Sequence, residues 1–195
     1  MTDLVTGADG LARCPWGAST PDYVTYHDTE WGQPVRTDDA LFERLTLEAF
    51  QSGLSWITIL RKRPAFRTAF DQFEIAKVAR YDDGDVARLL ADAGIVRNRA
   101  KIEAAIANAR AAADLPDGLT ELLWSFAPPP RPDGRPATGA AVPAVTPEST
   151  AMAKALRKAG FRFVGPTTAY ALMQATGMVD DHLAGCHVPV GVPSR

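Results

Sequence analysis

Two short clusters of metal-seeking residues stand at opposite ends of this chain, and no other feature constrains its fold as much. Cys14 and His27 lie near the N-terminus, and His182 and Cys186, four positions apart, lie near the C-terminus. The chain of 195 residues holds 2 cysteines and 3 histidines, so these positions use nearly its whole stock of soft ligands. Two thiolates and two imidazoles are the donor set of a tetrahedral structural zinc. If they meet in space, one ion ties the two ends of the chain together. Other readings of the same residues stay open. They would look alike as buried thiols and hydrogen-bonded core histidines. A Cys14–Cys186 disulfide is a third reading, disfavoured because nothing marks the chain as secreted.

A chain of this length suits one domain with a full-sized core. No basic segment followed by an apolar stretch opens it, and no apolar run is long enough to span a membrane, so the expected compartment is the cytosol. The net charge of -2 excludes a uniformly basic surface but permits a local basic face.

The pattern is helix after helix, with no convincing alternating strand, and the expected fold class is all-α. Residues 1–12 read as a loose tail, 13–190 as a single domain and 191–195 as a second tail. Thr20 and Pro21 look like a cap and first helical residue, opening a helix through about Trp31. Thr37, Asp38 and Asp39 start another, with Leu41, Phe42, Leu45 and Ala49 on one face. Ser55 or a neighbour begins a short helix through Leu60, and Pro64 restarts the chain, with Phe66, Phe70 and Phe73 at helical spacing. Asp82 and Asp83 precede a helix carrying Val86, Leu89 and Leu90, and Asn98 begins an alanine-rich one to about Ala113. Residues 119–126, 147–159 and 167–176 complete the set. Residues 127–147, with seven prolines in or flanking short runs of small residues, read as an irregular surface loop.

Two amphipathic helices flank a tight turn at Ala93, Gly94, Ile95 and Val96. Gly94 permits the backbone conformation that ends a helix, and Ile95 and Val96 would plug the gap. Past the turn, free backbone N–H groups stand beside Arg97, Arg99 and Lys101, an end suited to phosphate. Such a helix-hairpin-helix grips a DNA backbone without reading bases; an ordinary helical hairpin with a solvated basic edge would read the same. Two further basic groups, Arg61, Lys62, Arg63 and Arg67, and Lys154, Arg157, Lys158 and Arg162, could extend a phosphate-facing surface.

Trp16, Tyr23, Tyr26 and Trp31 crowd the first part of the chain, and Trp56 follows. Tyr23 and Tyr26 share a helix face, and His27 sits about 100° round from Tyr26. One helix can therefore offer tyrosines to a pocket and a histidine to a metal. Glu48 lies in an otherwise apolar stretch. Buried and unpaired it would neutralise itself, whereas a cationic ligand would keep it charged. Rings and a carboxylate together suit a planar cation, although the rings could also be plain core.

At this point the motifs carry a resemblance. Arg-Cys-Pro-Trp-Gly at 13–17, Tyr-His-Asp-Thr-Glu-Trp-Gly at 26–32, Leu-Glu-Ala-Phe-Gln-Ser-Gly-Leu-Ser-Trp-Ile at 47–57, Asp-Ala-Gly-Ile-Val-Arg-Asn-Arg-Ala-Lys-Ile at 92–102, Leu-Trp-Ser-Phe at 123–126, Phe-Val-Gly at 163–165 and Asp-His-Leu-Ala-Gly-Cys at 181–186 run in order along the chain. In these the chain resembles the 3-methyladenine DNA glycosylase I family of the helix-hairpin-helix glycosylase superfamily. The resemblance implies a base-excision repair enzyme that flips 3-methyladenine out of alkylated double-stranded DNA and hydrolyses its glycosidic bond. It implies one structural zinc on Cys14, His27, His182 and Cys186. It implies that Glu48 contacts the base, that Trp56 stacks on it, and that Trp16, Tyr23 and Tyr26 line the pocket. Pro15, where glycine is usual, and His187, directly after Cys186, depart from the pattern, and His187 could compete as a ligand.

Alkylation at N3 makes the base a cation that leaves neutral, so Glu48 is the candidate catalytic residue without the role of a strong general base. Ser52, Gly53 and Leu54 are placed to fill the gap left by extrusion. Two cysteines cannot hold a four-cysteine iron–sulfur cluster, and no lyase lysine stands out, so a monofunctional, monomeric enzyme is expected. A non-catalytic zinc-stapled binder of damaged DNA is the alternative. A zinc hydrolase with an open metal position, or a helical protein whose rings are only core, would be further readings.

Overall fold

Thr20 and Pro21 open the first helix as their chemistry dictates: the threonine hydroxyl accepts from the Tyr23 amide at 3.3 Å, and the proline, lacking an N–H, takes the first helical position. The computed structural model describes residues 3–189, and among them the helices are α1 (Pro21–Thr29), α2 (Asp38–Gln51), α3 (Trp56–Ala69), α4 (Ile75–Val78), α5 (Asp83–Ala91), α6 (Arg99–Ala113), α7 (Gly118–Trp124), α8 (Pro147–Lys158) and α9 (Pro166–Ala175). The expected all-α class is met. None of these helices is long and apolar enough to cross a membrane.

α2 is the central element. It packs against α3, α6, α7 and α9, and Leu41, Phe42, Leu45, Leu47 and Phe50 are essentially inaccessible to solvent. The apolar stripe read from sequence is therefore only part of a helix buried nearly all round. Its first two carboxylates serve other helices. Asp38 accepts from the backbone of Leu119 (3.1 Å) and Thr120 (2.8 Å), and Asp39 accepts from the Ile75 amide (2.9 Å). Each satisfies free N–H groups at the start of α7 or α4.

Three expectations need correction here. α3 runs unbroken through Pro64, where a restart was expected. Proline deletes only its own bond to the Leu60 carbonyl, and the packing of Ile59 before it and Phe66 after it outweighs that loss. Phe73 does not continue the helix of Phe66 and Phe70. The chain turns through Asp71, Gln72 and Phe73 at φ 50°, 57° and 59°, and the Phe70 and Phe73 rings then lie parallel, 5.5 Å apart. Residues 1–12 are not simply a loose tail. Val5–Thr6 (β1) pairs antiparallel with Ala12–Arg13 (β2), closed by a hydrogen bond from the Gly7 amide to the Leu11 carbonyl at 3.0 Å. Two residues a side are too few for alternation to be visible in sequence. The boundary at 190 and the tail 191–195 lie outside the described residues.

The proline-rich loop is irregular, as expected, apart from a short 3-10 turn at Gly139–Ala141, and it is anchored. Arg135 donates to Asp180 (2.8 Å) and to the Cys186 carbonyl (3.2 Å), and the Ala184 amide donates to the Pro136 carbonyl (2.9 Å). The loop is thereby fastened over the C-terminal segment. There a small second core gathers Cys14, Leu183, Cys186 and Val188.

Candidate functional site

Cys14, His27, His182 and Cys186, all buried, bring one ligand atom each within 4.8 Å of the others. Sγ of Cys186 lies 3.6 Å from both Nε2 of His27 and Nδ1 of His182, and Sγ of Cys14 lies 3.8 Å from the latter. Zinc bonds of about 2.3 Å to sulfur and 2.0–2.1 Å to nitrogen, at tetrahedral angles, demand an S···N edge of about 3.6 Å. The donor set thus fits a four-coordinate metal in both chemistry and size.

The far ring nitrogens fix both histidines. Nδ1 of His27 meets Asp28 Oδ1 at 2.8 Å, and Nε2 of His182 meets the Trp31 carbonyl at 3.1 Å. If these nitrogens carry the protons, the lone pairs of Nε2 and Nδ1 point into the group, the usual support for metal-binding imidazoles. His187 turns away to Asp28 at 3.0 Å and takes no part in the four-residue group. Asp28 also receives the Arg13 guanidinium at 2.7 Å. Pro15 fits at the start of a 3-10 turn, Pro15–Ala18. Gly17 beside it is needed for close approach, because a Cβ there would come within 2.4 Å of the His27 ring.

Next to this group is a cavity of about 410 Å³. Trp16, Tyr23, Tyr26, Trp31 and Trp56 wall it, and Glu48 and Gln51 enter from α2. α1 does serve both sites: Tyr23 and Tyr26 reach the cavity while His27 reaches the metal group. The rings brace one another, with Trp16 5.7 Å from Tyr23 and 4.9 Å from Trp31, both edge-on, and Tyr26 5.6 Å from Trp56. Trp56 keeps a partly accessible face on the cavity.

Glu48 is 7% exposed, and no hydrogen-bond donor in the described residues reaches it. Burial pushes its carboxyl up to about 8, with Arg44 one turn earlier pulling the other way. Arg44 and Arg63 are occupied by Glu30, at 2.8 and 2.7 Å, behind the Tyr26 ring.

A family model, that of methyladenine glycosylase, matches residues 16–189 of the chain. The chain belongs to the methyladenine glycosylase family. It is 45% identical over 179 residues to DNA-3-methyladenine glycosylase 1 of Escherichia coli (strain K12), covering 90% of this chain and 96% of that one. It is 42% identical over 182 residues to DNA-3-methyladenine glycosylase of Haemophilus influenzae, covering 89% and 96%. Among solved structures, a 3-methyladenine DNA glycosylase I aligns with TM-score 0.83 at 45% identity over 90% of this chain and 98% of its own. A tyrosine-to-phenylalanine variant of such an enzyme in complex with 3-methyladenine aligns with TM-score 0.85 at 35% identity, over 91% and 97%.

Several cavity residues of this family member escaped the sequence reading. Ala171 and Gln174 come from α9, Gly139 and Val142 from the proline-rich loop, and Asp181 from the C-terminal segment. Asp181 is held by the Tyr170 hydroxyl (2.7 Å), Gln174 (2.8 Å) and Arg131 (2.5 Å). Its position beside His182 in the C-terminal motif was the one available signal. Trp31 stood out as an aromatic without a role; it lines the cavity and its carbonyl orients His182.

The basic edge differs more. Arg97, on the turn before α6, and Arg99, its first residue, are exposed, Arg99 facing Glu103 at 3.3 Å. Ile95 is buried and Val96 packs on the core, as expected. Gly94 has no left-handed backbone; a Cβ there would meet Ala65 at 2.9 Å, so its need is closeness to α3. Lys101 is 8% exposed and points inward, donating to the carbonyls of Phe50 and Ser52. The group at 61–67 is paired within the chain: Arg61 with Asp22 at the exposed surface, Arg63 with Glu30 and Arg67 with Glu43 partly buried, while Lys62 bonds turn carbonyls. Charge is legible in a sequence, but the partner that neutralises it is set by the tertiary fold. Lys154, Arg157, Lys158 and Arg162 do remain exposed.

Proposed function

We propose that this chain is a monofunctional DNA-3-methyladenine glycosylase of base-excision repair, acting as a monomer in the cytosol on alkylated duplex DNA. The observation that carries the reading is the ring-walled cavity with the lone Glu48 carboxyl, together with the relative solved with 3-methyladenine. In this reading the helical hairpin α5–α6 is a helix-hairpin-helix that holds the phosphate backbone through Gly94, Arg97 and Arg99. The damaged nucleotide leaves the stack, and Gly53 and Leu54 fill its place. The base lies against Trp56, with Trp16, Tyr23 and Tyr26 around it and Glu48 at its edge.

The N3-methylated purine is a cation whose glycosidic bond breaks to give a neutral base. The chain therefore has no leaving group to protonate. Its task is to select the cation, hold the extruded nucleotide and admit water to the sugar carbon as the bond lengthens. Facing rings and a carboxylate favour a cationic purine over adenine. Cys14, His27, His182 and Cys186 would hold zinc. All four positions are protein ligands, so the ion fastens the chain ends and leaves no open site to activate water.

Incubating methylated duplex DNA with the purified protein and with Glu48→Gln, and identifying the bases released, tests the proposal. The protein should release free 3-methyladenine, and the variant should do so about 10- to 100-fold more slowly, the worth of one hydrogen bond to a charged group. Tight binding of methylated DNA with no base released would favour the non-catalytic binder instead.

A further inference from the structure

The residues joining α2 to α3 form an exposed tip. Gly53 has φ 82°, Leu54 is 41% exposed, and the Leu54 amide donates back to the Gln51 carbonyl at 2.6 Å. The last carbonyls of α2 have no partner within the helix and carry the negative end of its dipole. Water could satisfy them, because residues 52–55 are all exposed. The chain instead places a buried ammonium there. Lys101, in the first turn of α6, donates to the Phe50 carbonyl at 2.8 Å and to the Ser52 carbonyl at 2.6 Å. Removing a lysine charge from water is costly, and capping a solvated helix end does not require it.

A second lysine closes the frame from the other side. Lys62, in α3, donates to the carbonyls of Ala93 (3.0 Å) and Gly94 (3.1 Å) in the hairpin turn. The hairpin is thus held to α3 by Lys62 and to the end of α2 by Lys101, and the tip bridges those same two helices.

We infer that Lys101 is a positioning residue, fixing the tip to the hairpin so that Leu54 enters the duplex in register with the grip on the phosphates. The inference rests on the glycosylase reading above and deepens it. The lysine touches neither base nor phosphate. It converts a rigid hold on the backbone into a fixed height and direction for the wedge.

Lys101→Met keeps the stem and removes the ammonium with both of its hydrogen bonds. Single-turnover release of 3-methyladenine from methylated duplex DNA should fall about 10- to 100-fold, the cost of misplacing a group by roughly an ångström. Release from methylated single strands, where no stack needs filling, and binding of free 3-methyladenine should stay within about twofold of wild type, because the pocket is untouched. In a Leu54→Gly background, Lys101→Met should add no further loss, since the residue it positions is gone.

Duplex release equal to wild type, an equal loss on single strands and free base, or a full added loss on top of Leu54→Gly would each overturn the inference. If Lys101→Met does not fold, Lys101→Gln, which keeps a shorter, uncharged donor group, takes its place. If neither folds, Lys101 is a folding residue and the positioning role is wrong. Wild-type protein that releases no 3-methyladenine from any methylated DNA would instead sink the glycosylase reading, and this inference with it.

Discussion

Glu48 sits at the end of a mostly apolar helix face with a carboxyl that burial holds at about 8, so at neutral pH the free protein carries it largely protonated. A permanently cationic methylated purine favours the ionised form. The sign follows: below pH 8 the lesion must displace a proton to gain the ion pair, and above it the carboxylate is already present. kcat/KM on methylated DNA should therefore rise with pH, level off above about 8, and lose that inflection in Glu48→Gln. A flat wild-type profile would mean that the carboxyl meets the base as a neutral group. At this scale the four-residue Cys/His group and the cavity rings could be found in the sequence, because cysteine, histidine and tryptophan are scarce and each has few uses. Lys62 and Lys101 could not. A lysine that bonds a carbonyl across the fold and a lysine in solvent are the same letter.

At the scale of the elements, four of the nine α-helices among the described residues carry a side-chain cap at the expected start: Thr20, Asp82, Asn98 and Thr146 each accept backbone N–H bonds there. What could not be read was capping across the fold. Asp38 and Asp39 look like signals for their own helix, and they also close α7 and α4, one of which is a single turn with no periodicity to betray it. Asn108 of α6 does similar work. It is 1% exposed, its amide donates to the Arg162 carbonyl at 3.1 Å and its oxygen accepts from the Arg162 amide at 2.7 Å, joining α6 to the strained turn at Phe163, φ 56°. Asn108→Ala should cost about 1–3 kcal/mol in chemical denaturation, from the loss of both hydrogen bonds between the buried side chain and the Arg162 backbone. A loss under about 0.5 kcal/mol would show that water replaces the side chain there.

Across the whole molecule, the two ends of the chain meet in the four-ligand group, with the aromatic cavity against it. Cys14 and Leu183 line that cavity, so the metal group also forms part of its wall. Prolonged treatment with a strong chelator should lower the melting temperature by about 10 °C, the shift expected from roughly 3 kcal/mol in a chain of this size. Cys186→Ser should reproduce most of that drop, and an unchanged melting curve after verified metal removal would end the structural-zinc role. The long separation of the ligands has a consequence for synthesis. The ribosome delivers Cys14 and His27 early, yet the other half of this Cys/His group emerges only when translation has reached His182 and Cys186. A nascent chain halted before that point carries half of the four-residue group and an unsealed wall, so termination ahead of His182 should yield a polypeptide destined for proteolysis.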